Sequence, residues 1–457
     1  MQFLILQFVD PRQPQPLPEF SHGIGVLAAL AKADGMTPSL LTLAGHQPQR
    51  LRETVIRCRP RCILVELRPG SVTAGRRTIG EIAEQFSLPV GVFGTFATCK
   101  PTRAISMPGV HALVLGEYER PAVELLKAWR DGHDAAGLDG VWVHTEQGVT
   151  RGELPAPEAD LDALPFPDRE LFDYERIVAA TREVSFKAAR GCPEWCGYCF
   201  NDWYLDLYAD VAGAEGDGLV RRRGVGNLLD EVAQVVRRYD TAEAASFHDH
   251  CFAMDEAWLA EFAEHYPRRC ALPLRCHVRI GRVNGRIASL LARAGCRWAH
   301  TCIPSGSRFI RDEIHSLSAT RKRIVSGCRA LKDVGIHVAA EVFVGNPYES
   351  EITLEETLAL LHEAAPDEVH PRVYYPTPGT RAAELCRENG WVSGRGEENY
   401  WTGRSVLDMP SMPAEQIDAV AEQFDSLWRR PHRSRLRKIL GRVSRSRKRG
   451  ISKLLNW

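Results

Sequence analysis

No run of about twenty apolar residues occurs in the 457-residue chain, which excludes an ordinary membrane-spanning helix. The first residues, MQFLILQFVDPRQ, lack the basic start and small-residue cleavage site of a secretory signal. Their apolar character fits a buried first strand, and the expected address is the cytoplasm. With no export signal, thirteen cysteines do not suggest a disulfide scaffold; they are expected as thiols, some of them ligands. There is no low-complexity block apart from a basic tail. That tail, residues 429–457, carries twelve Lys or Arg and no acid. The preceding 428 residues hold 46 basic against 58 acidic side chains, a net of −12.

Hydrophobic content of 44% and charged content of 25% are those of a globular protein, and the length calls for more than one core. Residues 1–135 alternate short apolar runs (FLILQFV, SLLTLA, RCILVEL, VGVF, HALVL) with helical stretches such as His22 to Ala33. This pattern predicts an α/β domain of the Rossmann-like, doubly wound kind, with ligands beyond the carboxyl ends of the strands. Pro11–Pro18, Pro69–Ser71 and Gly94–Pro101 fall at that edge. Residues 136–182 are rich in proline and acid and read as a linker. A second strand–helix series over 183–390 predicts a partial (β/α)6 barrel. A helical extension, 391–428, and the basic tail follow.

The segment ARGCPEWCGYCFN spaces Cys192, Cys196 and Cys199 as Cys-x3-Cys-x2-Cys. Thiolates suit iron–sulfur clusters or zinc. A structural zinc site wants a fourth ligand. Three ligands on a four-iron cluster leave one iron open to a cofactor or substrate. A zinc knuckle or a set of buried thiols is the plainer alternative. Cys58 and Cys62 repeat the first spacing without a third partner and read as a helix end and a buried strand residue.

The RGCPxxCxxC run resembles the radical S-adenosylmethionine (SAM) superfamily. Further matches extend over about 184–390: ASFHDHCF, LLARAGCRWAHTCIPSGS, LKDVGIHVAAEVFVGNPYES and YYPTPGT. The resemblance implies a [4Fe–4S] cluster on Cys192, Cys196 and Cys199 whose open iron is chelated by the amino and carboxylate groups of SAM. One electron then cleaves SAM to methionine and a 5′-deoxyadenosyl radical. It further implies that Tyr198 lies near the adenine, that Asp249 accepts from the methionine amine, and that Ser305 lies near the ribose or carboxylate. Gly345 and Pro347 would let the backbone pass the adenine. Two positions depart from the family pattern: Pro304 and His250 stand where acids are usual.

The first domain resembles the cobalamin-binding domain found ahead of some radical SAM barrels. Gly94 and Thr98 lie in GTFATCKP, where Phe96 replaces the usual histidine, and Gly116 and Glu117 lie in LGEYE. These four are the implied cobalamin residues. No Asp-x-His-x-x-Gly motif is present, so no lower-axial histidine is expected; His22 and His46 read as packed or solvated. The implied activity is cobalamin-dependent methyl transfer to an unactivated carbon, with an external reductant such as a flavodoxin or ferredoxin. Alternatives are a radical SAM oxidoreductase, rearrangement or cyclisation enzyme that transfers no methyl, and a non-catalytic metal-binding protein docked on a membrane. No general base is legible. The tail interleaves basic and apolar residues, as a solvated tail or a helix on an anionic membrane surface would; specific nucleic-acid binding is not expected.

Overall fold

The computed structural model describes residues 1–12, 18–212, 219–394, 400–430, 435–436 and 438–440. Most of the Pro11–Pro18 segment and most of the basic tail lie outside them. Among the described residues no helix is long and apolar enough to cross a membrane. The chain divides into two compact units. The first comprises Met1–Pro193, Trp203–Glu243 and Tyr400–Thr402; the second comprises Glu194–Asp202, Ala244–Asn399 and Gly403–Trp457.

The first unit is built on β1 (Gln2–Val9), β2 (Thr37–Ala44), β3 (Ile63–Glu66), β4 (Val90–Phe93) and β5 (Ala112–Val114), all parallel. Intervening helices are α1 (His22–Ala33), α2 (Pro48–Cys58), α3 (Val72–Gln85), α4 (Thr95–Cys99) and α5 (Pro101–Ile105), and α6 (Glu119–Asp131) follows β5. Strand order is β2-β1-β3-β4-β5. This is the doubly wound arrangement, with its crevice where the order reverses beside β1 and β3. Phe3 through Phe8 are all buried, as a central strand covered on both faces requires. The buried Gln7 is satisfied by the backbone N–H and C=O of Glu19, at 3.2 and 2.8 Å. Ser21 caps α1 by accepting the Ile24 N–H at 3.3 Å.

The linker expected over 136–182 is more ordered than its proline content suggested. It contains β6 (Val141–Thr145) and β7 (Gly148–Arg151), an antiparallel hairpin that extends the sheet from β5. Beyond the hairpin, Pro167 packs so closely on Gly25 that a Cβ there would stand 2.7 Å from it. Arg169 pairs with the buried Glu231 at 2.7 Å. The unit continues with α7 (Tyr174–Thr181), β8 (Glu183–Phe186) and β9 (Ala189–Arg190). Then come α8 (Phe200–Ala212), which begins in the second unit, β10 (Arg221–Arg222), antiparallel to β9, and α9 (Val225–Arg238).

The second unit alternates strands and helices: β11 (Ala244–Phe247), α10 (Glu256–Arg269), β12 (Leu274–His277), α11 (Gly285–Arg293), β13 (Cys296–Cys302), α12 (Arg321–Asp333), β14 (His337–Val344), α13 (Glu351–Ala364) and β15 (Glu368–Val373). The strands pair in sequence order and in parallel. Alternate residues such as Cys276, Ala299, Val338 and Val342 are buried under the helices. The opposite face carries His277, His300, Cys302 and Glu341, and so presents polar side chains. The unit closes with α14 (Arg381–Glu388) and α15 (Ala414–Arg429).

Candidate functional site

All thirteen cysteines are thiols without disulfide partners. Gly191 leads into the motif with φ +89°, and a Cβ there would meet the Leu219 carbonyl oxygen at 2.1 Å, so only glycine fits. Cys192 is buried at the end of the first unit. The division between units falls between Pro193 and Glu194, inside the motif. Cys196 is buried and Cys199 partly so. These two are joined by a turn in which the Cys199 N–H donates to the Cys196 carbonyl at 2.8 Å, and the Asp202 N–H to the Cys199 carbonyl at 3.0 Å.

Two segments far along the chain pin this turn. The Gly197 N–H donates to the His315 carbonyl at 3.0 Å, and the Ala382 N–H donates to the Gly197 carbonyl at 2.9 Å. A Cβ at Gly197 would lie 2.7 Å from the Ile314 carbonyl oxygen. Arg381 then clamps the buried Asp202 through two bonds of 2.8 and 3.0 Å. Tyr198 is wedged edge-on between His315 and Phe343, each 5.0 Å away. Burial first, and the Cys302 thiol second, hold its hydroxyl neutral.

The other expected SAM residues divide into two groups. Asp249 is buried just beyond β11, with His250 exposed beside it and 6.0 Å from the Phe200 ring. Gly345 takes φ +83° and Pro347 is buried in the turn after β14. Ser305 lies in the loop after β13. It is fully buried, and its hydroxyl is shared between Thr357 Oγ1 at 3.2 Å and the Ser307 N–H at 3.1 Å. It holds the loop after β13 to α13.

That loop joins a buried network that no motif announced. Glu349 accepts the Gly345 N–H at 2.5 Å and an Asn346 amide N–H at 2.9 Å. The Asn346 amide also donates to the Pro304 carbonyl at 3.2 Å, and its oxygen lies 2.7 Å from His315 Nε2. Burial lifts the Glu349 carboxyl to about 7 and drops His315 to about 4. Only the final Glu of the Gly-Asn-Pro-Tyr-Glu stretch could have hinted at it. A row of histidines crosses the polar face of the sheet: His248 and His277 lie 6.3 Å apart, His277 and His300 5.4 Å. Burial first, then His248 beside His277 and His277 beside His300, hold both at about 4, so both are neutral at pH 7.

In the first unit the four expected cobalamin residues are brought together. Thr98 Oγ1 donates to the Gly94 carbonyl at 2.9 Å and accepts the Gly116 N–H at 3.1 Å. Gly94 and Gly116 have φ of +101° and +65°. The Thr98 hydroxyl and the Glu117 carboxylate are nevertheless committed to the protein. Glu117 pairs with Arg190 at 3.1 Å and with Arg221 at 2.5 Å, and its N–H donates to Tyr208 Oη at 2.9 Å. The two arginines hold its carboxyl below the usual range against the cost of burial. Glu119 takes the other arm of Arg190 at 2.7 Å. Phe96, at the histidine position of the resembling loop, is a buried core residue of α4. His46 is held by Thr78 at 3.0 Å and Glu81 at 3.4 Å.

The chain is an α/β protein that combines a doubly wound sheet with a strand–helix series, and its three-cysteine turn lies between the two in sequence. Residues 187–361 match the model of the radical SAM superfamily. Such a domain holds a [4Fe–4S] cluster and SAM. The donor set of the turn, three thiols and no disulfide, suits the cluster.

The chain is similar to an uncharacterized methyltransferase, PH0819, of Pyrococcus horikoshii: 23% identical, over 78% of this chain and 76% of that protein. It is also similar to the anaerobic magnesium-protoporphyrin IX monomethyl ester cyclase of Rubrivivax gelatinosus: 23% identical, over 78% of this chain and 64% of that one. Among solved structures it shares its fold with the radical SAM methyltransferase TsrM of Kitasatospora setae, solved with cobalamin and a [4Fe–4S] cluster bound. The TM-score is 0.67 at 19% identity, covering 86% of this chain and 79% of that one. It also matches the cobalamin-dependent SAM radical enzyme OxsB, with TM-score 0.71 at 13% identity, covering 98% and 71%.

Proposed function

We propose that this protein is a cobalamin-dependent radical SAM enzyme that transfers a methyl group to an unactivated carbon. The observation that carries the reading is the likeness in fold to TsrM, a methyltransferase solved with cobalamin and a [4Fe–4S] cluster bound, which covers 86% of the chain. The bound cluster supplies the electron that cleaves SAM to a 5′-deoxyadenosyl radical, and bound cobalamin supplies the methyl group.

In this reading Cys192, Cys196 and Cys199 hold the cluster. Gly197 and Asp202 fix the shape of their turn, and Tyr198 forms a rigid wall beside it. Asp249 takes the methionine amine, while Gly345 and Pro347 shape the adenine pocket. Gly94 and Gly116 bring backbone to the corrin; Thr98 and Glu117 hold those loops. The neutral His277 and His300 offer the substrate hydrogen bonds without charge. An external one-electron donor completes the system. The basic tail, most of which lies outside the described residues, docks the protein on an anionic membrane surface.

The test is anaerobic reconstitution followed by product analysis. 5′-Deoxyadenosine together with S-adenosylhomocysteine supports methyl transfer. 5′-Deoxyadenosine alone favours radical cyclisation or rearrangement, which the likeness to a ring-forming cyclase keeps in view. Neither product from a protein with full iron content would sink both. Replacing any of the three cysteines by alanine abolishes the cluster's visible absorbance and both products.

A further inference from the structure

We propose that a cavity in the second unit, over the carboxyl ends of β12 and β13, binds an oxyanion carried by the substrate, a phosphate or a carboxylate, with Arg311 as its main cation. The cavity measures about 660 Å³ and is lined by Arg279, Arg282, Arg311, Arg323, Asn284 and Cys302, among others. Glu194 is the one acid among its described lining residues, and Arg282 takes it at 2.7 Å.

Arg311 is 3% exposed, yet its bonds go to neutral carbonyls: Nη1 to Ser305 at 3.0 Å and Nε to Ala319 at 3.3 Å. Its neighbour Asp312 pairs with Arg308 at 3.0 Å, and Asp312 and Glu356 act on Arg311 only through space, without a salt bridge. A buried guanidinium without a carboxylate is costly to keep, and an incoming anion removes that cost. Arg311 sits in a π-helical turn, Ile310–Ile314, closed by the His315 N–H on the Ile310 carbonyl at 3.0 Å. Such one-residue insertions re-aim side chains and are frequent at functional sites.

The surroundings add to the positive potential. Arg323 lies in the first turn of α12 with no acid paired to it among the described residues. Asn284, the N-cap of α11, lines the cavity, so the positive end of that helix borders it. Cys302 lines the cavity as well, and so does Glu194, which lies between Cys192 and Cys196. An anion held on Arg311 therefore anchors one end of a substrate whose other end is directed to the cysteine turn.

The proposal rests on the radical SAM reading. In that reading the SAM carboxylate is taken by the open iron, which leaves the Arg311 charge for a second anion.

The probes are labelled inorganic phosphate and labelled acetate, in equilibrium dialysis with the full-length reconstituted protein. One of them binds the wild type, which names the oxyanion class. Arg311→Met and Arg323→Ser each weaken that binding about tenfold while the SAM dissociation constant stays unchanged. Arg323 is exposed, so its variant remains informative where the Arg311 variant fails to fold. Absence of binding to the wild type, equal binding by Arg323→Ser, or displacement of SAM by the bound ion overturns the proposal. 5′-Deoxyadenosine formation is followed in the same preparations. Its absence refutes the radical reading, whatever the dialysis gives.

Discussion

Arg190 stands two residues ahead of Cys192, and its guanidinium is held by Glu117 at 3.1 Å, on the loop after β5. Glu119 takes the other arm at 2.7 Å, and Arg221 braces Glu117 from the far side. The strand that delivers the first cysteine is thus tied by charge to the loop that the sequence suggested would face cobalamin. Removing the charge in Glu117→Gln leaves two largely buried arginines short of an anion, a change worth about 3 kcal/mol. Denaturant unfolding should show the loss. The holoprotein should also retain less iron, although no ligand has been touched. Unchanged stability and iron content would mean that the pairs are ornamental.

Gly197→Ala tests the cysteine turn without altering its thiols. The added Cβ meets backbone at Ile314, which cannot swing away as a side chain would. The expected cost is about 2 kcal/mol. Iron and sulfide per chain should fall several-fold, and the electron paramagnetic resonance signal of the reduced cluster should broaden. Full cluster content in this variant would show that the turn tolerates movement.

Glu349 gives stability a pH dependence of known sign. Its folded-state pKa of about 7 lies above the ordinary 4.5, so its contribution is complete below pH 4.5 and is lost as pH rises through 7. His315, lowered from 6.5 to about 4, acts oppositely: its contribution is present above pH 6.5 and is lost as pH falls through 4. Melting temperatures of the wild type should therefore decline from pH 5 to 8 relative to those of Glu349→Gln. Parallel curves for the two proteins would refute the assignment.

The tail has its own test. A chain ending at Leu440 should fail to float with anionic liposomes that carry the full-length protein, since each basic residue near such a surface contributes about 1 kcal/mol. Raising the salt should release the full-length chain too. Equal flotation of both chains would remove the membrane role.

Much of this was legible in the residues because it depends on local pattern. His22 to Ala33 is a helix because Ser21 caps it and Gly35 follows it, and β14 coincides with HVAAEVFV because Val338, Ala340, Val342 and Val344 alternate into the core. The hairpin β6–β7 was missed because VWVHT and GVTR are short and sit among prolines, where pairing with β5 decides the outcome. The bonds of Ser305 to Thr357 and of Thr98 to Gly116 span 52 and 18 residues, and nothing in the local sequence marks them. The Glu349–Asn346–His315 network and the unneutralised Arg311 were illegible because charge balance is a property of space, and sequence proximity is a poor guide to it.

The Trp401 indole N–H donates to the Gly70 carbonyl at 2.7 Å, and Tyr400 and Trp401 fill the space that a Cβ on Gly70 would need. Residues 400–402 belong to the unit that begins at Met1. Its sheet can assemble early, but its last fastening arrives only after the entire strand–helix series of the other unit has emerged. No single cut in the gene yields two self-sufficient halves, and a fragment ending at Pro193 is born missing a piece that no downstream linker can supply.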